Sequence, residues 1–245
     1  DGELRENWGK LPVPTLPKWL RSPLLDAYDN KAVGAMEMAH FRGAATDLTL
    51  KTAGDAPAIP DATLLPTGRL RVSNASQISS LPGFSDGAWW VQDAAAALPA
   101  RILDVQSGER VADLCAAPGG KTLQMAAAGA DVFAYDISEF RLKSIEENLA
   151  RTNLTATVAQ ANILDLTAAL FDAILLDAPC SATGTLRRHP DLPFAKDGSG
   201  IFELIELQQA LLRKAIGLMK PGGRLMFCTC SLLPDEGEVQ IEQIC

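Results

Sequence analysis

The chain predicts an α/β fold, a doubly wound and mostly parallel sheet with a small N-terminal α+β module. Three observations predict it. From Val111 onward, short apolar runs alternate with helical patterns, as in βαβ units. The first of these runs, Val111–Cys115, feeds the Gly-rich turn Ala116-Ala117-Pro118-Gly119-Gly120, and a helix opens at Lys121 or Thr122. Ahead of it, residues 45–85 carry alternating runs punctuated by Pro and Gly, the pattern of a small module with strands.

Bulk composition narrows the class. With 245 residues the chain can hold one large domain and an appendage. No apolar run is long enough to span a membrane. A net charge of −8 speaks against a wholesale nucleic-acid coat but leaves room for a local basic groove. Of five cysteines, Cys115, Cys180, Cys228 and Cys230 sit in or just after apolar runs, which argues for a reducing cytoplasm over a secreted disulfide framework. Only two His are present, and Cys228-Thr229-Cys230 leaves one residue between thiols, so no metal site is expected. The start lacks Met and resembles no signal peptide, which suggests a trimmed beginning. The pattern Val239, Ile241, Ile244 suggests an end cut inside a helix.

Residues 1–44 read as a linker and helix: Pro17-Lys18-Trp19-Leu20 feeds a helix from Leu24 to about His40. Within 45–85, a strand over Thr46–Lys51, a loop over Ala53–Ala62 and a second strand ending at Val72 are expected. Residues 86–245 form the main domain. There a helix over Ala94–Ile102 precedes strand 111–115, helix 121–128, strand 131–136, helix 138–151 and strands 156–160 and 171–176. A loop over 177–200, helix 201–219, a turn at Pro221-Gly222-Gly223 and strand 224–229 follow.

The chemistry-bearing residues fall at strand ends. Paired glycines allow φ > 0 and close approach to a ligand, and the following helix offers free N–H groups to an anion. The spacing is neither G-x-G-x-x-G nor a Walker loop, because position 115 is Cys. Asp136 lies about 20 residues past the Gly-rich turn, where such folds hold a ribose. It also stands where a helix cap is needed, although Ser138 is the better cap. Asn162 suits a base edge or a turn cap. The run Phe171–Asp177 delivers Asp177 and Cys180 to the carboxyl edge of the sheet, and Leu225–Cys230 delivers Cys230 beside them. The two thiols should meet across one crevice, and a thiolate there is a strong nucleophile. Cys228, on the opposite face of its strand, reads as packing.

Four runs in order then resemble a known family: Asp113–Thr122, Leu176-Asp177-Ala178-Pro179-Cys180-Ser181-Ala182-Thr183-Gly184, Arg187-Arg188-His189-Pro190-Asp191 and Thr229-Cys230-Ser231. They are similar to the RsmB (Sun/Fmu) family of RNA cytosine-C5 methyltransferases over residues 85–245. The Arg187–Asp191 run is most like the bacterial members acting on small-subunit (16S) rRNA.

The resemblance implies a Rossmann-like, class I S-adenosylmethionine-dependent methyltransferase, cytoplasmic and monomeric, acting on RNA. In it Cys115, Ala116, Ala117, Pro118, Gly119, Gly120 and Lys121 would wrap the methionine part of the cofactor, and Asp136 the ribose. Asn162 stands where the family usually has Asp, near the adenine amino group. Arg141 would help at the adenosine side, with a solvated helix-face arginine as the alternative. Asp177 would contact cofactor or target base, Cys230 would be the nucleophile and Cys180 would assist product release. In the related DNA enzymes the nucleophile belongs to the Pro-Cys motif, here Cys180; the Thr-Cys-Ser run favours Cys230. Arg187, Arg188 and His189 would meet RNA phosphates at the mouth. Arg69, Arg71, Lys18 and Arg21 would extend the track from the small, RRM-like module. The resemblance also makes residues 1–44 the expected remnant of a helical domain. Transfer RNA or large-subunit rRNA as substrate, and a non-catalytic RNA-binding assembly factor, are the alternatives. A nicotinamide oxidoreductase fits the Gly spacing poorly and leaves both cysteines without a role.

Overall fold

The computed structural model describes residues 12–73 and 77–244. It opens with two helices, α1 (Lys18–Ala27) and α2 (Asn30–Arg42). The single helix expected from Leu24 to His40 is split, and its first turn starts earlier, at Lys18. The cause is local: Tyr28 is extended, and the Asp29 side chain accepts the Ala32 N–H, which starts a new helix.

Next comes an antiparallel sheet of β1 (Thr46–Leu50), β2 (Ala62–Leu64), β3 (Leu70–Val72) and β4 (Trp89–Val91), in the order β2-β3-β1-β4. Strand β4 lies beyond residue 85, so the unit runs on to Val91. Among the described residues it holds no α-helix of its own, unlike an RRM-like α+β module. Its apolar side is covered by loop residues instead: Ile78, Leu81, Phe84 and Ala88 pack with Leu48, Leu70 and Trp89. The unit is joined to the rest by Lys51, whose Nζ donates to the Thr152 carbonyl (2.6 Å), and by Arg151, which donates to the carbonyls of Phe84 (2.9 Å) and Trp89 (3.0 Å).

The helix expected over 94–102 shrinks to α3 (Leu98–Leu103). The preceding turn is taken by carboxylates: Asp47 accepts from the Ala94 N–H and Asp93 from the Ala95 N–H. The main sheet follows as β5 (Arg110–Leu114), β6 (Asp131–Asp136), β7 (Thr157–Gln160), β8 (Phe171–Asp177) and β9 (Met219–Cys228). Its order is β7-β6-β5-β8-β9, all parallel, which is the expected Rossmann-like α/β sheet. The connecting helices are α4 (Gly120–Ala127), α5 (Glu139–Thr152), α6 (Leu192–Ala195) and α7 (Ile201–Gly217), with α8 (Glu238–Glu242) last.

Alternate strand residues fill two layers, as a period of two requires. Ile174 and Leu176 pack with Leu211, Leu212 and Ala215 of α7. Ala173 and Leu175 pack on the other face, with Leu103 of α3 and Met125 of α4. Leu142, Ile145 and Leu149 of α5 lie on that side too, against Ala134 and Leu123. Pro221-Gly222-Gly223 is not a turn ahead of the last strand but a bulge inside it: the register jumps from Phe171↔Met219 to Ala173↔Arg224. At Gly223 a Cβ would stand 2.5 Å from the Met219 side chain and 3.0 Å from the Asp172 and Lys220 carbonyls, so a larger residue would have to push the bulge apart.

Candidate active site

The carboxyl ends of β5, β6, β8 and β9 converge on one rim. The loop leaving β5 turns at once, with Cys115 at φ +62° and Gly119 at φ +101°, and Gly119 opens α4. Packing alone already demands glycine-like size at both positions. A Cβ on Gly119 would stand 2.9 Å from the Ile145 side chain of α5, and one on Gly120 3.1 Å from Gln92. Burial, and then the nearby Asp136, push the Cys115 thiol up to about 12, so it is an inert part of the wall.

Asp136 is buried at the end of β6 and ties this loop to the next helix. It accepts the backbone N–H groups of Ala117 (3.1 Å) and Ser138 (2.9 Å). Ser138 caps α5 by accepting the Arg141 N–H, as expected. Arg141 is not a freely solvated side chain: its guanidinium donates to the Ala117 carbonyl at 2.5 Å and stands 3.8 Å from Asp136. Asn162 caps the 3-10 turn Ile163–Asp165 and donates to Asp165 (2.7 Å). Asp136, Arg141 and Asn162 nonetheless line one cavity of about 280 Å³, with Cys115, Ala117, Asp177, Cys180 and Cys230, and with apolar Ile137, Ile163, Leu207 and Leu211. Ala116, Pro118, Gly119, Gly120 and Lys121 border a second cavity of about 400 Å³, and Asp177 lines both.

Asp177 is held from two sides. Lys121 Nζ donates to Oδ2 at 2.7 Å, and the Cys228 thiol lies 3.6 Å from Oδ1 as donor. Cys228 therefore does more than pack, because Asp177 ends the neighbouring strand in register with it. Burial draws Lys121 down, but the charge and hydrogen bond of Asp177 together with Cys228 and Asp113 outweigh it and its pKa is raised.

The structure brings Cys180 and Cys230 together, with Sγ atoms 3.4 Å apart. A hydrogen bond from the Cys180 thiol holds the Cys230 pKa below the ordinary thiol value, against burial and the nearby Asp177. The same bond, with burial, raises Cys180. Of the two, Cys230 is thus the more acidic thiol and Cys180 the less acidic. Gly184 seats the arrangement: its N–H donates to the Cys230 carbonyl at 2.8 Å, and a Cβ there would meet that same oxygen at 2.8 Å.

Most of the basic residues already have partners within the chain. Arg187 and Arg188 both donate to Asp93, at 2.7 and 3.0 Å, and Arg188 also reaches the Ala45 carbonyl. They tie the loop after Cys180 to the N-terminal unit, while His189 is exposed. Arg71 is bidentate on Asp47, Arg69 is buried against Thr49 and the Thr67 and Ala97 carbonyls, and Arg21 pairs with Glu37. Of that expected track only Lys18 points to solvent without such a partner.

Asp113, in the middle of β5, is a functional candidate that the strand pattern hid. It is buried, and the Thr122 hydroxyl donates to Oδ2 at 2.6 Å while Oδ1 has no hydrogen-bond partner among the described residues. Burial raises it to about 7. Its one signal in the sequence is a carboxylate inside an otherwise apolar run.

Residues 100–245 match the family model for the 16S rRNA methyltransferase RsmB/F. The chain belongs to this family. A ribosomal RNA small subunit methyltransferase B of Salmonella arizonae is 40% identical over 233 residues, covering 92% of this chain and 50% of that protein. The namesake from Pasteurella multocida is 44% identical over 185 residues, covering 71% and 42%. The chain thus spans about half the length of the curated RsmB/F relatives it matches. The crystal structure of a methyltransferase homolog from Pyrococcus horikoshii superposes with a TM-score of 0.74 at 28% identity, covering 95% of this chain and 82% of that one.

Proposed function

We propose that the chain methylates carbon 5 of a cytosine in RNA, with small-subunit rRNA as substrate and S-adenosylmethionine as methyl donor. The observation that carries this is the Cys180–Cys230 pair on the wall of the cavity that Asp136 and Asp177 line. The names of the RsmB/F relatives support the rRNA substrate. The residues fit the donor: two carboxylates and the apolar Ile137, Ile163 and Leu207 suit a molecule that is part nucleoside, part cation. Asp136, Arg141 and Asn162 would hold its adenosine half, and the loop Cys115–Lys121 with Asp177 its methionine half. When bound, it supplies an electrophilic methyl group.

The protein's share follows from the base. Carbon 5 of cytosine is too weak a nucleophile unaided. The Cys230 thiolate adds to carbon 6, its sulfur electron pair forming the new bond, and carbon 5 becomes enamine-like. After carbon 5 gains its methyl group, a base takes the carbon-5 proton and the carbon–sulfur bond breaks, returning its electrons to Cys230. Cys180, protonated and in contact, assists that release. The target base must leave its stack to reach the cavity. Arg187, Arg188 and His189 would meet RNA at the loop after Cys180, where a phosphate must compete with Asp93 for the two arginines.

Bisulfite sequencing of total RNA from cells with and without the gene tests this reading. The expected result is a small-subunit cytosine that resists conversion only when the gene is present. A position confined to transfer RNA or large-subunit rRNA would move the substrate, and no gene-dependent position in any RNA would overturn the activity.

A further inference from the structure

Each site cysteine is followed by a serine, Cys180-Ser181 and Cys230-Ser231, and one carboxylate takes both serines. Glu236, in the 3-10 turn Pro234–Glu236, is fully buried. Its Oε1 accepts the Ser181 backbone N–H (2.8 Å) and Gln208 Nε2 (3.1 Å). Its Oε2 accepts the Ser181 hydroxyl and, at 2.6 Å, the Ser231 hydroxyl. Four donors are about what two carboxylate oxygens can take. Among the described residues no cation pairs with it.

The two loops are also joined beside it. The serine hydroxyls are 3.2 Å apart, Gln208 donates to the Pro179 carbonyl (2.9 Å), and Thr229 Oγ1 donates to the Glu236 carbonyl (3.1 Å). Ser181 and Ser231 are thus fixed to the Glu236 carboxylate, Thr229 to its main-chain carbonyl and Pro179 to Gln208, while the carboxylate is hydrogen-bonded to neither thiol. Burying a carboxylate without a cation is costly, and here its four hydrogen-bond donors are what offset that cost. What the carboxylate adds is geometry: one rigid acceptor with donors arriving from two separate loops.

We infer that Glu236 is the positioning residue that holds the Cys180 and Cys230 loops in register, so that the two thiols stay in contact. The inference rests on the cysteine chemistry proposed above but is tested without it. Removing the carboxylate takes away the buried acceptor that Ser181 and Ser231 share and leaves the loops tied only by the weaker contacts through Thr183 and by the Gly184–Cys230 bond, so they loosen and the Cys180–Cys230 hydrogen bond weakens. The remaining groups that influence the Cys230 thiol, Asp177 and Lys121, lie on β8 and α4 and are not bonded to Glu236.

The test is the pH dependence of iodoacetamide alkylation at Cys230, read by peptide mass between about pH 6 and 10, in the parent, Glu236→Ala, Glu236→Gln and Ser231→Ala. The expected midpoint rises by roughly one pH unit in Glu236→Ala. It rises less in Glu236→Gln, which keeps one acceptor oxygen and lets the hydroxyls turn, and also rises in Ser231→Ala. In parallel, kcat for RNA methylation falls about tenfold or more in Glu236→Ala while KM holds within about twofold. If Glu236→Ala does not fold, Glu236→Gln and Ser231→Ala decide the matter. An unmoved midpoint in the folded variants overturns the inference even where the parent methylates RNA. A shifted midpoint in a parent that methylates nothing upholds the positioning role and removes the proposed reaction instead.

Discussion

Replacing Gly119 by Ala tests why the Gly-rich loop has its shape. Gly119 sits at φ +101°, where an L-residue costs about 1–2 kcal/mol or more. Its new Cβ would also stand 2.9 Å from Ile145 Cγ1 and 3.2 Å from Cβ and Cγ2 of the same residue. Ile145 is fully buried between α4 and β6 and has nowhere to move, so overpacking adds about 1–3 kcal/mol. The sum is about 2–5 kcal/mol, a large part of the about 5–15 kcal/mol typical of a domain. Urea unfolding measures it, at constant m. Ile145→Ala on its own destabilises by about 2–5 kcal/mol. In the double variant the two costs should fall short of their sum by about 1 kcal/mol, because the contacts with Cγ1 and Cγ2 are gone and only the one with Cβ remains. A loss below about 0.5 kcal/mol for Gly119→Ala would refute the packing argument. So would strict additivity with Ile145→Ala. Unchanged stability with weakened cofactor binding would show that the glycine serves ligand approach instead.

Two further outcomes follow from buried charge. Asp113 is raised from 3.8 to about 7, so stability held by its neutral form is complete below about pH 4 and is lost as pH rises through 7. Asp113→Asn should therefore gain on the order of a few kcal/mol relative to the parent at pH 8 and almost nothing at pH 4. Parallel urea curves at the two pH values would contradict this. Asp93→Asn removes the shared acceptor of Arg187 and Arg188, and should cost about 1 kcal/mol at low salt and less at high salt. It should also expose the loop after Cys180 to proteolysis, and a cleavage rate equal to the parent's would argue that the pair does not hold the loop.

What sequence reasoning reached and what it missed divide along one line. The main sheet was legible because parallel strands buried on both faces are apolar runs, and Phe171–Asp177 is one. The meeting of Cys180 with Cys230 was legible too, since each follows the end of a strand and β8 and β9 are neighbours. Partners far apart in the chain were not. Nothing near Arg187 announces Asp93, 94 residues away, and a basic run reads as solvated until that partner is seen. Glu236 looks like one acidic residue in an acidic turn, and only the fold gathers Ser181, Ser231 and Gln208 around it. At Pro221-Gly222-Gly223 the local chemistry was read correctly as a break, but a break inside a strand and one before it have the same composition.

The assignment of the two thiols is tested most directly by covalent capture on RNA containing 5-fluorocytosine, where fluorine replaces the carbon-5 proton, elimination cannot follow and the adduct persists. Cys230→Ala should form no protein–RNA adduct. Cys180→Ala should trap as the parent does, and should also accumulate adduct on ordinary RNA because release is slowed. Trapping by Cys230→Ala together with its loss in Cys180→Ala would reverse the roles and contradict the account.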